Sequence, residues 1–286
     1  MKINWFPGHM NSALVMMEKE LKNVDLIIYV LDSRAPFSCL NPSFEKIASK
    51  RPVIYVLSKA DLSNEQTTAW FKKYFSAKEN SACVTVNSTV SGSASIIKTL
   101  MKSMLTKKME WNARKGLNIP LRAMVIGVPN CGKSTLINNL VGKNKTVTGD
   151  KPGVTRGKQW VAIDSNINLL DTPGTLWPDL ANDVVAHRLA YIGSIKSEVL
   201  DIATLGLDFI ADFIKKDKTI LENRYGISIE ENETPIEVFD KICLKRGFIA
   251  RKNEIDYERG ATGIFDDFRK GRMGRITLDE INREND

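Results

Sequence analysis

The chain has 286 residues, 43% of them hydrophobic, enough for a large globular core and a second, smaller domain. Four widely spaced cysteines with no CxxC pair, and only two histidines, exclude a zinc site of usual spacing and fit reduced thiols. No signal pattern opens the chain and no apolar run approaches the ~20 residues of a membrane span, so a cytoplasmic protein without a membrane partner is expected. The net charge of +7 is concentrated in two windows, 98–122 (seven basic residues against Glu110) and 141–160 (five against Asp150), which favours a polyanionic partner.

An amphipathic helix is predicted over 10–22, followed by an apolar strand over 25–31. Asp32-Ser33-Arg34-Ala35-Pro36 closes that strand, either as a simple turn or with Arg34 facing a partner. A helix over 42–49 and a strand over 53–57 lead to Ser58-Lys59-Ala60-Asp61. Next come a helix over 65–75, a strand over 83–86 ending at Asn87-Ser88-Thr89, and a helix over 93–105. The polar stretch 107–118 reads as a linker.

A strand over 121–126 then runs into Gly127-Val128-Pro129-Asn130-Cys131-Gly132-Lys133-Ser134, which fits G-x-x-x-x-G-K-[ST] and opens a helix over 133–141. This strand–loop–helix is a phosphate-binding loop. Its backbone N–H groups, from Asn130 to Thr135, and the helix dipole cradle phosphates. Lys133 is expected on the β- and γ-phosphates and the Ser134 hydroxyl on Mg²⁺. Further on, Thr155 is expected to close over the metal. Strands over 159–163 and 167–170 end at Asp171-Thr172-Pro173-Gly174, where the Asp171 carboxylate reaches Mg²⁺ through water and the Gly174 N–H meets the γ-phosphate. Strand–helix alternation predicts an α/β fold with a mostly parallel doubly wound sheet over 1–178. Beyond it, periodicity over 181–214, 235–245 and 257–270 predicts an all-α domain over 179–286, in which His187 is structural. Arg269, Arg272 and Arg275 either touch RNA or form a solvated charged face with Asp266, Asp267, Asp279 and Glu280.

Ser58-Lys59-Ala60-Asp61 resembles the NKxD base-reading motif of GTPases. The Asp61 carboxylate can accept from guanine N1–H and N2–H₂, a pair adenine lacks, and Lys59 can lie along the ring. Serine at 58 replaces asparagine, which predicts weaker guanine binding with specificity kept. Asn87 and Ser88 take the place of the supporting base loop. Base readers thus precede the phosphate loop, which precedes the switch residues: a circularly permuted order. That order, with Asn4-Trp5-Phe6-Pro7-Gly8-His9-Met10, Leu176-Trp177-Pro178 and the segment from Gly271 to Ile276, resembles the ribosome biogenesis GTPase A family along nearly the whole chain.

The resemblance implies GTP hydrolysis, with GTP or GDP and Mg²⁺ bound. It further implies monomeric action in maturation of the large ribosomal subunit, and a helical domain that contacts ribosomal RNA and proteins. Other uses stay open: a nucleotide-gated RNA or protein binding module with incidental hydrolysis, or a GTPase in RNA modification or signalling. Thr175 stands where many GTPases carry a water-orienting glutamine, and the resemblance points to His9 as the substitute; the other reading of Pro7-Gly8-His9 is a turn entering the helix. Asn130 matches the asparagine that binds K⁺ in potassium-activated GTPases, or else stabilises its loop.

Overall fold

The protein was analysed as a computed structural model that describes residues 8–87, 93–142, 159–177, 180, 183–196 and 200–281. The sheet domain begins with helix α1 (Gly8–Glu20) and strand β1 (Leu26–Asp32). Then follow α2 (Pro42–Ala48), β2 (Val53–Ser58), α3 (Glu65–Ser76), β3 (Ser81–Val86), α4 (Ser93–Met104) and α5 (Thr106–Arg114). After these come β4 (Leu121–Ile126), α6 (Lys133–Val141), β5 (Gln159–Asp164) and β6 (Ile167–Asp171). The strand order is β3-β2-β1-β4-β6-β5, parallel throughout except for β5, which runs antiparallel on the edge. Every residue of β1 and of β2 is buried, as continuous apolar runs covered on both faces must be.

Residues 107–118 are not a linker over their whole length: α5 occupies most of them. Lysine, methionine, glutamate, alanine and arginine are strong helix formers, so a polar stretch with no turn signal before Gly116 extends α4 by a second helix. Asp25 ties this helix down, pairing with the Lys108 ammonium and accepting from Arg122 N at 3.0 Å.

From residue 180 a second compact unit begins, built from α7 (Asp183–Tyr191), α8 (Ile202–Asp217), α9 (Thr219–Tyr225), α10 (Pro235–Arg246) and α11 (Tyr257–Arg269). The helical periodicity over 181–214 divides into α7 and α8. Gly193, in the left-handed region at φ +84°, ends the first, and Asp201 caps the second by accepting from Thr204 N. Tyr191, Phe209, Phe213, Phe265 and Phe268 form this unit's aromatic core, with Phe209 and Phe213 stacked at 4.2 Å. The helical unit ends at Ile276, ahead of the end expected for it. Residues 277–281 belong to the sheet unit, held there by hydrogen bonds that composition does not signal.

Candidate functional site

Strand register assembles the site. Asp32, Ser58 and Val86, the last residues of β1, β2 and β3, stand side by side, and Val125 of β4 faces Asp171 of β6. The chain steps from β1 outward to β2 and β3, then crosses back to β4 on the other side of β1. Between β1 and β4 lies the topological switch point, where open parallel sheets bind ligands beyond their carboxyl ends. The phosphate loop leaves β4 there, and the base-reading loop leaves β2, the strand on the other side of β1.

Two bonds join these loops. The Ser58 hydroxyl donates at 2.5 Å to the Cys131 carbonyl, with Leu31 O at 3.1 Å, and the Lys59 ammonium donates to Asn130 O at 2.8 Å. Serine at 58 therefore keeps a tie to the phosphate loop despite its short side chain. Lys59 and Asn130 both adopt left-handed backbone, at φ 54° and 56°, a conformation that needs support from surroundings for a non-glycine residue. Asp61 is half-buried, and its Oδ1 is shielded from solvent with no hydrogen-bond partner among the described residues. A sealed carboxylate oxygen calls for donors, which suits the N–H edge of guanine.

Support for Lys59 comes from below. Asp32 is fully buried; its Oδ2 lies 3.0 Å from the Lys59 ammonium and 2.7 Å from Arg34 Nη2, and its Oδ1 accepts from Arg34 Nε at 2.9 Å. Burial pushes the Asp32 carboxyl up, but the Arg34 guanidinium and Lys59 ammonium outweigh it and hold the group well below the usual carboxylate range. Arg34, only 1% exposed, does not face a partner. Its fork fits the carboxylate two residues earlier, and that pair buries both.

In the phosphate loop, Lys133 is buried with its ammonium held between Gly127 O at 3.0 Å and Val128 O at 2.8 Å. Ser134 and Thr135 lie half-buried in the first turn of α6, behind Gly132. Burial raises the Cys131 thiol, so it stays neutral although Lys133 pulls the other way. Gly174 packs against this loop so closely that a Cβ there would lie 2.7 Å from both Lys133 Nζ and Pro129 Cα. Asp171 is buried at the end of β6, and Thr172 donates to Val125 O at 2.6 Å, fixing the start of the loop. Among the described residues no cluster of three or more His, Cys, Asp or Glu forms. The buried Asp171 carboxylate and the Ser134 hydroxyl are hard-oxygen donors, of the kind that share a divalent ion with substrate phosphates.

Thr175 is wholly buried, its hydroxyl without a hydrogen-bond partner among the described residues and its carbonyl accepting from Asn41 Nδ2 at 3.2 Å. Leu176 N donates to the Met10 thioether at 3.4 Å, which brings the first turn of α1 to this loop. The backbone of His9 lies in that turn, while its side chain, like Ser88 and Thr155, falls outside the described residues. Asn87 is half-buried at the end of β3, in line with the base-reading strand.

Asn41 and Asp32 escaped sequence reasoning as site residues. An Asn-Pro helix cap is legible at 41–42, but its reach to Thr175 is not. In the helical unit, Arg269 caps α7 through Ala190 O and Tyr191 O, and the exposed Arg272 pairs with half-buried Asp266 and with buried Asp267, so Asp267 is no part of a solvated face. Arg275 is exposed. His187 stands on α7 beside Tyr191, with Asp208 at 3.6 Å.

These features define a circularly permuted P-loop GTPase fold, a mostly parallel sheet followed by an all-α domain. A family described as 50S ribosome-binding GTPase matches residues 122–241, a span that starts at β4 and leaves the base reader ahead of it. Ribosome biogenesis GTPase A of Bacillus cereus is 35% identical over 280 residues, covering 98% of this chain and 94% of that protein. Its namesake from Thermotoga maritima is 28% identical, covering 97% and 94%. The crystal structure of GNP-bound YlqF from T. maritima superposes with a TM-score of 0.65 at 24% identity, over 94% of this chain and 98% of that one. The chain belongs to the ribosome biogenesis GTPase A family.

Proposed function

We propose that this protein hydrolyses GTP as a timed assembly factor for the large ribosomal subunit, which it binds in a nucleotide-dependent way. The observation that carries the reading is the bridge from Ser58 and Lys59 to the carbonyls of Cys131 and Asn130. It joins a guanine-reading loop to a phosphate loop, a combination that only a guanine nucleotide uses in full. The matched family's description and the names of the relatives supply the ribosomal partner.

In this reading Asp61 accepts from the guanine edge and Lys59 covers the ring, with Asn87 and Ser88 in support. Lys133 and the loop N–H groups neutralise the β- and γ-phosphates. Ser134, Thr155 and Asp171 hold Mg²⁺, which when bound draws charge from the phosphate oxygens. The Gly174 N–H senses the γ-phosphate. With the Thr175 hydroxyl buried, water orientation falls to His9, whose helix turn lies against Leu176. Asn130 holds K⁺ beside the phosphates. Exposed Lys102, Lys107 and Arg114 on α4 and α5, with Lys115 just after them, favour contacts with rRNA phosphates. The protein acts in the cytoplasm as a monomer, slowly alone and faster on the particle.

Pelleting with salt-washed large subunits tests this, alongside turnover with and without subunits in KCl and NaCl. Retention is expected with a non-hydrolysable GTP analogue and to be weak with GDP. Subunits should stimulate turnover on the order of tenfold or more, and KCl should exceed NaCl. Equal retention in all nucleotide states with unstimulated turnover would sink the proposal. Nucleotide-dependent retention without stimulation would favour a binding module instead.

A further inference from the structure

Residues 277–281 rejoin the sheet unit after the helical one is complete. Asp279 is buried and accepts from Ser38 twice, from its backbone N at 2.9 Å and its hydroxyl at 2.6 Å. Leu278 N donates to Arg34 O at 2.6 Å, and Thr277 Oγ1 accepts from Asn64 N at 3.1 Å. Three consecutive residues thus each hold a polar group of one of two loops. A buried carboxylate is costly unless donors converge on it, and here two do.

The two loops flank the base reader. Arg34 and Ser38 follow β1, and the Arg34 side chain grips the same Asp32 that holds Lys59. Asn64 lies three residues past Asp61, and its side chain caps α3 by accepting from Thr67 N. Residues 58–61 lie between these anchors. Within them Lys59 adopts a left-handed backbone that persists only where neighbours over-determine it.

We propose that Thr277, Leu278 and Asp279 form a strap that positions the guanine-reading loop, with Asp279 as its principal positioning residue. Freeing the strap lets the loop leave its binding-competent state, and apparent affinity falls with the competent fraction. The phosphate loop is framed by β4 and α6 in addition to its bonds from Ser58 and Lys59, so the loss falls mainly on the base. The inference rests on the guanine-binding reading above.

The full chain carrying Asp279→Ala or Asp279→Asn tests it, with binding of GDP and of inorganic pyrophosphate measured by calorimetry. Asp279→Ala should raise the GDP Kd roughly tenfold, equivalent to about 1.4 kcal/mol, with a much smaller loss for pyrophosphate. Asp279→Asn should stay near wild type, because its amide oxygen still accepts from Ser38 N and its NH₂ donates to the Ser38 hydroxyl. Thr277→Val, at the other anchor, should weaken GDP in the same base-selective manner, and it carries the test if Asp279→Ala fails to fold. Unchanged GDP affinity, or equal losses for GDP and pyrophosphate, would overturn the strap. A wild-type chain that binds no GDP would instead overturn the functional reading.

Discussion

Asp32, itself wholly buried, holds two cations, and for the buried Arg34 it is the counter-ion. Removing its charge by Asp32→Asn leaves a buried guanidinium with no counter-ion, a defect that costs ~3–5 kcal/mol. Urea denaturation should register that loss, and Arg34→Lys should also destabilise because an ammonium cannot reproduce the fork. The pH dependence has a defined sign. The folded carboxyl titrates below its unfolded value, so its contribution is complete above roughly pH 4 and disappears only as pH falls further. Stability of the sheet unit from this pair is therefore flat between about pH 5 and 8. Ser58 illustrates substitution at the same scale: a hydroxyl replaces an amide and keeps the tie to Cys131 O.

Among the connecting elements, the loop after β6 has little room beside the phosphate loop. In Gly174→Ala the new methyl meets Pro129 backbone and the Lys133 ammonium; the ammonium can swing away, but the backbone cannot without moving the phosphate loop. Affinity for a GTP analogue should fall roughly tenfold relative to wild type, with a smaller loss for GDP, by calorimetry. Wild-type affinity for both nucleotides would show that the contact does not matter. The strands and the phosphate loop were legible because each is a local pattern: apolar runs, then glycines and Lys133 at fixed spacing. The helix α5 was not, since polar composition masked good helix formers. The break at Gly193 was hidden by helical periodicity on both sides. Arg34 reads as a surface arginine until Asp32 is seen to curl back onto it. Asp279 reads as part of a solvated charged face, whereas it is buried against Ser38, 241 positions away and beyond any local pattern.

For the molecule as a whole, permutation leaves the site intact because strand order, rather than chain order, decides which ends meet. β1 and β4 are adjacent in the sheet although α2 to α5 intervene in sequence. The helical unit is covalently continuous with the sheet unit on both sides, through residue 180 and residue 277. The central claim is that the carboxylate at 61 and the lysine at 133 act on one guanine nucleotide. Binding of GDP and XDP to wild type and to Asp61→Asn tests it most directly, since an amide donates where the carboxylate accepted. Wild type should prefer GDP, and the variant should reverse that preference, each by on the order of a hundredfold. A variant that keeps the wild-type preference for GDP would contradict the account.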